Sequence, residues 1–278
     1  MSLFIASLNS GSNGNCYYIG NHHEAVLIDA GLSCRETEIR VARSGLAFNK
    51  IKAVFITHEH SDHTRGVSVI SRKYQIPVYI TDETHKSGRL RLQSQLTRHF
   101  EPYLPVVIGG LSVNAFPKQH DASEPHSFIV TGNGITVGVL TDIGAACEHV
   151  KLNFSKCHAA FLEANYDEDM LKNGRYPVYL KRRISSDHGH LSNRQALDLF
   201  ITHKPDFMSH VLLSHLSQDN NNPKLVEKLF KTHARGAFVS IASRHKESAV
   251  YTITGEYANN ENSKPAILPD SYIQTSLF

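Results

Sequence analysis

The chain has 278 residues, of which 41% are hydrophobic and 20% charged, and this composition excludes a disordered chain. Its formal net charge of +3 permits a polyanionic partner without requiring one. No apolar run approaches the ~20 residues that span a bilayer, so the sequence does not predict a membrane helix. The first twelve residues lack a basic start, so it does not predict a signal peptide. Four scattered cysteines without a Cys-x-x-Cys pair predict free thiols in a reducing compartment, so we expect a cytoplasmic protein that does not bind membranes.

The first hundred residues alternate between short apolar runs and segments with helical spacing. In chain order they predict strands at 4–8, 16–19 and 25–28, a helix at 33–44, a strand at 53–56, a helix at 65–73, a strand at 78–80 and a long basic helix at 82–100. The Gly-rich segment at 10–15 is either a phosphate-binding nest or a tight turn.

The rest of the chain continues this alternation. It predicts strands at 111–116, 127–131, 135–140 and 159–163, a helix at 192–203, a strand at 210–214, a helix at 223–233 and a strand at 238–241. Strands throughout, with helices between them, favour an α+β fold of two mixed sheets packed together with helices outside. We expect one domain over residues 1–255 and an irregular tail at 256–278.

The most informative segment, THEHSDH at 57–63, directly follows the strand predicted at 53–56. It contains His58, His60, Asp62 and His63. Imidazole nitrogens and carboxylate oxygens are preferred ligands of Zn²⁺ and also suit Mn²⁺ or Fe²⁺, and the carboxyl ends of strands are where sites collect in α/β sheets. The segment therefore predicts two divalent metal ions on one loop and leaves the metal's identity open.

Three further candidate ligands, His120, Asp142 and His215, each follow another apolar strand. Two cations ~3.5–4 Å apart can share a water, lower its pKa towards ~7 and stabilise the attacking and leaving oxygens together. We therefore expect a hydroxide that bridges the two metals to be the nucleophile of a hydrolase.

Taken in order, and preceded by Asp29 after the third strand, these residues resemble the five motifs of the metallo-β-lactamase fold superfamily. The resemblance implies a four-layer αββα sandwich with the site along one edge of the two sheets. It also implies two metal sites joined by a bridging Asp142 and a supporting role for Asp29 through hydrogen bonds to the loop. The implied ligands are His58, His60 and His120 for the first metal and Asp62, His63 and His215 for the second.

Two other segments, EAN at 163–165 and HLS at 190–192, resemble the Glu-Ala-Thr and His-Ser-Thr segments of RNase Z-type phosphodiesterases. The resemblance implies that Glu163 orients His190, which donates to a phosphoryl oxygen or protonates the leaving oxygen. Together with Asp62, these two are the expected catalytic residues. His188 is a rival for the role of His190 and could instead contact the substrate or simply pack.

Three longer strings resemble the YycJ/WalJ-like group of bacterial metallo-β-lactamase-fold proteins: SLNSGSNGNCYY at 7–18, KRRISSDHGHLSN at 181–193 and HLSQDNN at 215–221. That group is regarded as DNA-processing, with 5′→3′ exonuclease activity. The resemblance therefore implies that the protein is a two-metal phosphodiesterase with DNA as its partner.

The expected substrate contacts are basic or polar residues near the predicted site, since a nuclease must neutralise several phosphates. They are Lys181, Arg182, Arg183, His188, Ser243 and Arg244. The alternative for any charge run is an ordinary solvated face. Two other functions remain open: hydrolysis of small phosphodiesters or thioesters, and a non-catalytic nucleic-acid-binding subunit. DNA versus RNA, the polarity and the oligomeric state are undecided.

Overall fold

The computed structural model of the chain describes residues 2–255, so the expected irregular tail at 256–278 lies outside the described residues. The strands within this range are β1 (Ser2–Asn9), β2 (Cys16–Gly20), β3 (Ala25–Ile28), β4 (Ile51–Phe55), β5 (Val78–Tyr79), β6 (Thr97–Arg98), β7 (Val106–Ile108), β8 (Leu111–Pro117), β9 (His126–Gly132), β10 (Ile135–Leu140), β11 (Ala159–Glu163), β12 (His210–Ser214), β13 (Phe238–Ile241) and β14 (Tyr251–Thr254).

Each of the two sheets is mixed, with an antiparallel half and a parallel half. The first has the order β14-β1-β2-β3-β4-β5-β6, in which β3 to β6 are parallel. The second has the order β13-β12-β11-β10-β9-β8-β7, in which β10 to β13 are parallel. The carboxyl ends of the parallel strands of each sheet therefore lie at one edge.

Helices occupy the connections between strands. They are α1 (Cys34–Arg43), α2 (Ser61–Thr64), α3 (Val67–Tyr74), α4 (Asp82–Gly88), α5 (Glu148–Phe154), α6 (Glu168–Asn173), α7 (Val178–Ile184), α8 (Asn193–His203) and α9 (Pro223–Lys231), with short 3₁₀ turns at 48–50 and 94–96. None of the helices in the described part of the chain is both long and apolar enough to cross a membrane.

The core has three parts, one for each interface between layers. Buried residues of both sheets, such as Ile5 and Phe128, pack between the sheets. A second cluster joins the first sheet to α1 and α3, and a third joins the second sheet to α5, α8 and α9. Because a sheet that is apolar on both faces must be covered on both sides, this packing produces four layers. The predicted α+β sandwich, with the αββα order, is confirmed.

The predicted long helix at 82–100 is wrong. Helix α4 ends at Gly88, and Arg89 takes a left-handed φ of 48° there. The segment then forms a 3₁₀ turn and the edge strand β6, which pairs with β5. Its charges had suggested a continuous polar helix, but pairing with an open sheet edge satisfies the backbone instead.

Candidate metal centre

The candidate site lies where the parallel strands of both sheets end. Asp29 follows β3, and the 57–63 loop follows β4, its parallel neighbour. In the second sheet, Asp142 follows β10, Glu163 is the last residue of β11 and His215 follows β12. The sandwich thus brings together residues that are up to 186 positions apart between Asp29 and His215.

Three of these residues have a left-handed backbone, which is uncommon outside glycine. The φ angles are 64° at Asp29, 54° at Asp142 and 56° at His215. Each non-glycine residue held in this region costs on the order of 1–3 kcal/mol, and such residues cluster at functional sites. The left-handed turns bend the chain as it leaves its strand, at the edge where the two sheets meet.

All seven predicted metal ligands lie together. Their ligating atoms belong to four groups in which every atom is within 4.8 Å of the others: His58, His60 and His120; Asp62, His63 and His215; His58, His63 and Asp142; and Asp142 and His215 together with Glu163 and His190. The first two groups are the two ligand sets that the resemblance implies. The assignment of each residue as a ligand stays a prediction.

Asp142 contacts histidines of both groups, as a bridging ligand would. Its Oδ2 lies 3.1 Å from Nε2 of His63, and its Oδ1 lies 3.5 Å from Nε2 of His215 and 3.9 Å from Nε2 of His120. Asp142 is only 2% exposed. A buried carboxylate between two sets of histidines can offer one oxygen to each of two cations.

Unsatisfied polar atoms show that the residues fit divalent cations. Nε2 of His120, Nε2 of His215 and Oδ2 of Asp142 are buried and make no hydrogen bond of normal geometry in the described part of the chain, and their polar neighbours are carboxylates and imidazoles of the same site. Leaving such an atom unpaired costs about 1–3 kcal/mol, so three at one point are unusual. Imidazole nitrogens and a carboxylate oxygen that converge without partners are the donor set of a Zn²⁺ or Mn²⁺ site.

The other nitrogen of each of three histidines is already occupied. His63 Nδ1 lies 2.7 Å from Asp29 Oδ2, His120 Nδ1 lies 3.0 Å from the carbonyl oxygen of Gly189, and His215 Nδ1 lies 3.1 Å from Glu163 Oε1. A proton on Nδ1 leaves Nε2 free to bind a metal, and this outer contact fixes the orientation of the ring. Asp29 also accepts from the backbone N–H of Thr57 at 2.9 Å, a contact of the kind that the resemblance implies for it.

The pKa values describe a site that holds protons when no cation neutralises its carboxylates. Burial lowers the pKa of His215, but the nearby carboxylates of Asp142, Asp62 and Glu163 overcome this and raise it to about 10. Burial also lowers the pKa of His63. The carboxylates of Asp142 and Asp29 outweigh this effect and raise the pKa well above its usual value. In contrast, burial lowers the pKa of His120 to about 3.

Asn15 enters the sequence analysis only as part of the Gly-rich segment at 10–15, but its side-chain contacts make it a candidate functional residue in its own right. Its backbone N–H donates to the carbonyl oxygen of Asp62 at 2.7 Å, and its Nδ2 lies 3.2 Å from Asp62 Oδ2 and 3.0 Å from His63 Nε2. A Cβ atom on neighbouring Gly31 would lie 1.6 Å from the same carbonyl oxygen. Of the two alternatives for the Gly-rich segment, these contacts favour a tight turn, which here supports the metal loop.

Lys118 was also missed, because a single lysine carries no pattern. It is buried, and its Nζ donates to the carbonyl oxygen of Thr141, next to Asp142, at 2.7 Å. Burial lowers the pKa of this lysine, while the carboxylates of Asp142 and Asp29 oppose the shift. Its positive charge partly offsets the four carboxylates around the site.

Glu163 is fully buried beneath His190 and holds it. Glu163 Oε1 lies 2.8 Å from His190 Nδ1, and Oε2 accepts from the backbone N–H of Ile143 at 2.6 Å. Burial raises the pKa of Glu163, but the charge of His190 and hydrogen bonds with His190 and His215 lower it to about 2, so it stays ionised. His188 is exposed, and no contact between it and Glu163 is found among the described residues. Of the two rivals, therefore, only His190 contacts Glu163.

A capping box fixes the chain just after His190. Ser192 Oγ accepts from the backbone N–H of Gln195 at 3.1 Å, and the Gln195 side chain accepts from the backbone N–H of Ser192 at 2.9 Å. This reciprocal pair satisfies the first amides of α8 and sets where the helix begins. Helix α8 therefore begins three residues after His190.

The predicted substrate contacts flank the metal cluster on two sides. On the side of His120, Arg183 on α7 donates to Asp121 Oδ2 at 2.5 Å, and Asp121 Oδ1 lies 3.4 Å from His120 Nε2. Lys181 Nζ donates to the carbonyl oxygen of Lys172, and Arg182 is exposed. On the side of His215, the Ser243 carbonyl accepts from the backbone N–H of Ser10, and Asn13 Nδ2 donates to the Arg244 carbonyl.

Comparison with known proteins agrees with this geometry. A family model described as a beta-lactamase superfamily domain matches residues 24–215. The chain is 36% identical over 230 residues to exodeoxyribonuclease YycJ of Bacillus anthracis, covering 81% of this chain and 86% of that protein. It is 31% identical over 223 residues to exodeoxyribonuclease WalJ of Streptococcus pneumoniae serotype 2, covering 78% and 83%.

A solved structure extends the agreement to the fold. The metallo-beta-lactamase fold protein YhfI from Bacillus subtilis superposes with a TM-score of 0.70 at 17% identity, covering 91% of this chain and 100% of that one. At this identity the likeness concerns the fold alone. Family model, relatives and ligand geometry together show that the chain is a metal-dependent hydrolase of the metallo-β-lactamase superfamily and belongs to its YycJ/WalJ-like group.

Proposed function

We propose that the protein is a two-metal phosphodiesterase that degrades DNA as a 5′→3′ exonuclease. The observation that carries the phosphodiesterase assignment is the buried Glu163 carboxylate against His190, beside a complete set of seven candidate ligands. The choice of DNA rests on the relatives, which are named exodeoxyribonucleases. The four free cysteines support the expected cytoplasmic location.

The first metal would be held by His58, His60 and His120. The second would be held by Asp62, His63 and His215, with Asp142 shared between them. Two bound cations would supply an activated water and neutralise charge on the phosphoryl oxygens. Zinc or manganese fits this mixed set of imidazoles and carboxylates, and iron is a third candidate.

His190 would act on the oxygen that leaves the phosphorus. Its Nδ1 is held by Glu163 and its side chain is 20% exposed, so the opposite nitrogen can face a substrate. An imidazolium on an ionised carboxylate can donate a hydrogen bond to a phosphoryl oxygen or pass its proton to the leaving oxygen. Glu163 would hold the ring and stabilise its charge without taking the proton itself.

Asp62 would act on the attacking water. Its side chain is 18% exposed, against 3% for Asp142, so it is the more accessible carboxylate of the two. Burial raises the pKa of Asp62, but the charge of His63 and hydrogen bonds with His215 and His63 lower it below its usual value. An ionised carboxylate at this place can orient the water and accept a hydrogen bond from it.

The DNA backbone would cross the site between the two flanks. Lys181, Arg182 and Arg183 on α7 would bind phosphates on one side, while Ser243 and Arg244 would do so on the other. His188, exposed beside α7, would contact the same strand. Tyr179 on α7 is 75% exposed and offers a ring on which an unpaired base can stack.

A polarity assay tests the proposal. Linear single- and double-stranded DNA and RNA, labelled at either end, are incubated with Zn²⁺, Mn²⁺ or Fe²⁺, and circular DNA serves as the substrate without ends. We expect release of nucleotides from the 5′ end of linear DNA and none from the circle, with Asp142→Asn as the control for contaminating nuclease. Cleavage of bis(p-nitrophenyl) phosphate with all nucleic acids intact would favour a small phosphodiester instead. Binding of DNA without any hydrolysis would favour the non-catalytic subunit.

A further inference from the structure

A cavity outside the metal centre adjoins the shell of its ligands. It opens between the segment that follows β12 and the segment that follows β13, and its volume of about 370 Å³ is within the range of small-ligand sites, roughly 300–1,000 Å³. Ser10 forms part of its wall, and Ser10 Oγ accepts from the backbone N–H of His215 at 2.7 Å. A molecule in this cavity would lie next to a group bound at the metals.

The lining combines apolar surface with positive charge. Leu216, Pro223 and Ile241 supply apolar surface, while Arg244 and Lys246 supply cations. No acidic side chain of the described residues lines the cavity. A lining of this kind suits an anion that also carries an apolar or aromatic body.

The two nearest acidic side chains in sequence are already paired. Glu247 accepts from Arg43 at 2.5 and 2.9 Å, and Asp219 Oδ2 accepts from the hydroxyl of Tyr176 at 2.8 Å. Neither residue lines the cavity, and Glu247 is neutralised by its own cation, while Asp219 accepts only from a neutral hydroxyl and keeps its charge outside the lining. The charge of the cavity is therefore available to an anionic ligand.

Arg244 has donor capacity to spare. Its Nη1 is buried and has no hydrogen-bond partner among the described residues, and its only side-chain hydrogen bond there is a long one of 3.4 Å from Nη2 to Ser12 Oγ. Its backbone is fixed, because the Arg244 carbonyl accepts from Asn13 Nδ2 at 2.7 Å. The guanidinium therefore keeps N–H donors without a partner on a residue whose backbone is fixed, and such a group can donate two parallel hydrogen bonds to a phosphate.

We propose that this cavity binds the terminal nucleotide of the DNA strand, an inference that rests on the proposed function. A phosphate of that nucleotide contacts Arg244, its sugar and base lie on the apolar surface of Leu216 and Ile241, and the adjoining phosphodiester is at the metal centre. A bare phosphate would leave the apolar wall unused, and an apolar peptide would leave the cations unpaired. A cavity of this volume has room for the end of a strand, and a terminal nucleotide bound there would make cleavage exonucleolytic.

Direct binding of a mononucleotide tests the proposal. 2′-Deoxyadenosine 5′-monophosphate and inorganic phosphate are titrated into the full-length, metal-loaded protein by calorimetry. Arg244→Met removes the phosphate contact, and Gln218→Trp places a bulky ring over the cavity from an exposed position. Arg72→Met, which removes an exposed cation on α3, is the matched control.

The mononucleotide should bind more tightly than inorganic phosphate. Its affinity should fall roughly 10–100-fold in Arg244→Met, as for a lost hydrogen bond to a charged group, and should also fall in Gln218→Trp but not in the control. Equal affinity for inorganic phosphate, or unchanged affinity in both cavity variants, overturns the proposal.

Two enzymatic readouts separate this proposal from the proposed function. If linear DNA is degraded but its KM and the mononucleotide affinity do not change in either cavity variant, the cavity assignment fails and the exonuclease stands. If the wild-type protein binds the mononucleotide, both cavity variants lose that binding and no DNA is degraded, the mononucleotide site is supported and the exonuclease is overturned.

Discussion

Oε1 of Glu163 lies 2.8 Å from Nδ1 of His190, and the carboxylate is fully buried while the imidazole is partly exposed. A buried carboxylate that holds a partly exposed imidazole is the arrangement expected for protonating a leaving group. We therefore expect His190→Ala to lower kcat on DNA by ~10²–10⁴-fold, the usual contribution of general acid catalysis, with a smaller change in KM. Steady-state kinetics measure both.

His188→Ala is the matched control for this prediction, because His188 lies two residues away and does not contact Glu163. It should lose far less activity. The loss of activity in Glu163→Gln should fall between those of the two histidine variants. The metal content of this variant is measured as well, because Glu163 also contacts His215. An equal loss in His188→Ala and His190→Ala would contradict the role given to His190.

Asp142→Asn should abolish hydrolysis and lower the metal content of the purified protein. An amide cannot offer two anionic oxygens to a pair of cations, so the shared position is lost. Metal content by elemental analysis, together with turnover of bis(p-nitrophenyl) phosphate, measures both effects. Asp198→Asn, an exposed carboxylate change on α8, is the control. Unchanged turnover with full metal occupancy would show that Asp142 is not the bridge.

The stability of the metal-free protein should fall as the pH rises from about 7 to about 10. The pKa of His215 is raised to about 10 in the folded protein, so its protonation stabilises the fold below the unfolded pKa of ~6.5, and this stabilisation is lost as the pH passes through the folded value. The raised pKa of His63 acts in the same direction. Thermal unfolding in the presence of a chelator measures the effect.

Metal binding should remove this dependence, because a cation replaces the protons on the histidines. Calorimetric titration of the metal in buffers of different ionisation enthalpy should therefore detect proton release at pH 7. A metal-free protein that becomes more stable between pH 7 and pH 10 would be inconsistent with protonated His63 and His215.

Gly31→Ala should displace the metal loop. A Cβ atom at this position would lie 1.6 Å from the carbonyl oxygen of Asp62, so the backbone of the loop must move. We expect a lower melting temperature and weaker metal binding. Gly255→Ala, where a Cβ atom would meet nothing within 4 Å, is the control. Equal metal affinity in Gly31→Ala and the wild-type protein would contradict the close approach.

Lys181→Ala and Arg182→Ala should weaken DNA binding without a loss of metal. If each residue neutralises one phosphate, each substitution should reduce the slope of log affinity against log salt by about 1. Arg72→Ala on α3 should leave the slope unchanged. Fluorescence anisotropy with labelled DNA at several salt concentrations measures the slopes, and identical slopes in all variants would remove α7 from the DNA-binding surface.

Elements with strong local patterns could be predicted from the sequence. The strands at 159–163 and 210–214 coincide with β11 and β12, because both are fully buried runs in the parallel half of a sheet. The metal loop could be predicted from its chemistry rather than from a structural pattern, because several potential ligands lie within six residues. Helix α7 was missed because it buries no residue and so has no apolar face.

Residues that act through distant contacts could not be predicted. Asn15 reaches Asp62 across 47 positions, and its side chain has no ligand chemistry of its own. Lys118 is an ordinary residue in sequence, and only the sheet order β10-β9-β8 brings it to the carbonyl of Thr141 and near four carboxylates. The choice between His188 and His190 depended on the side-chain contact with Glu163, which spacing does not contain.

The left-handed backbone at Asp29, Asp142 and His215 sets folding against chemistry at the same three positions. Glycine adopts this conformation without the penalty of a side chain, so replacing any of the three would relieve strain while deleting a carboxylate or an imidazole. The same substitution would also break a buried contact, because Asp29 and Asp142 each lie against His63, and His215 lies against Glu163. The strained turns are therefore held by the side chains that they present to one another, and neither the turn nor its contact can be replaced alone.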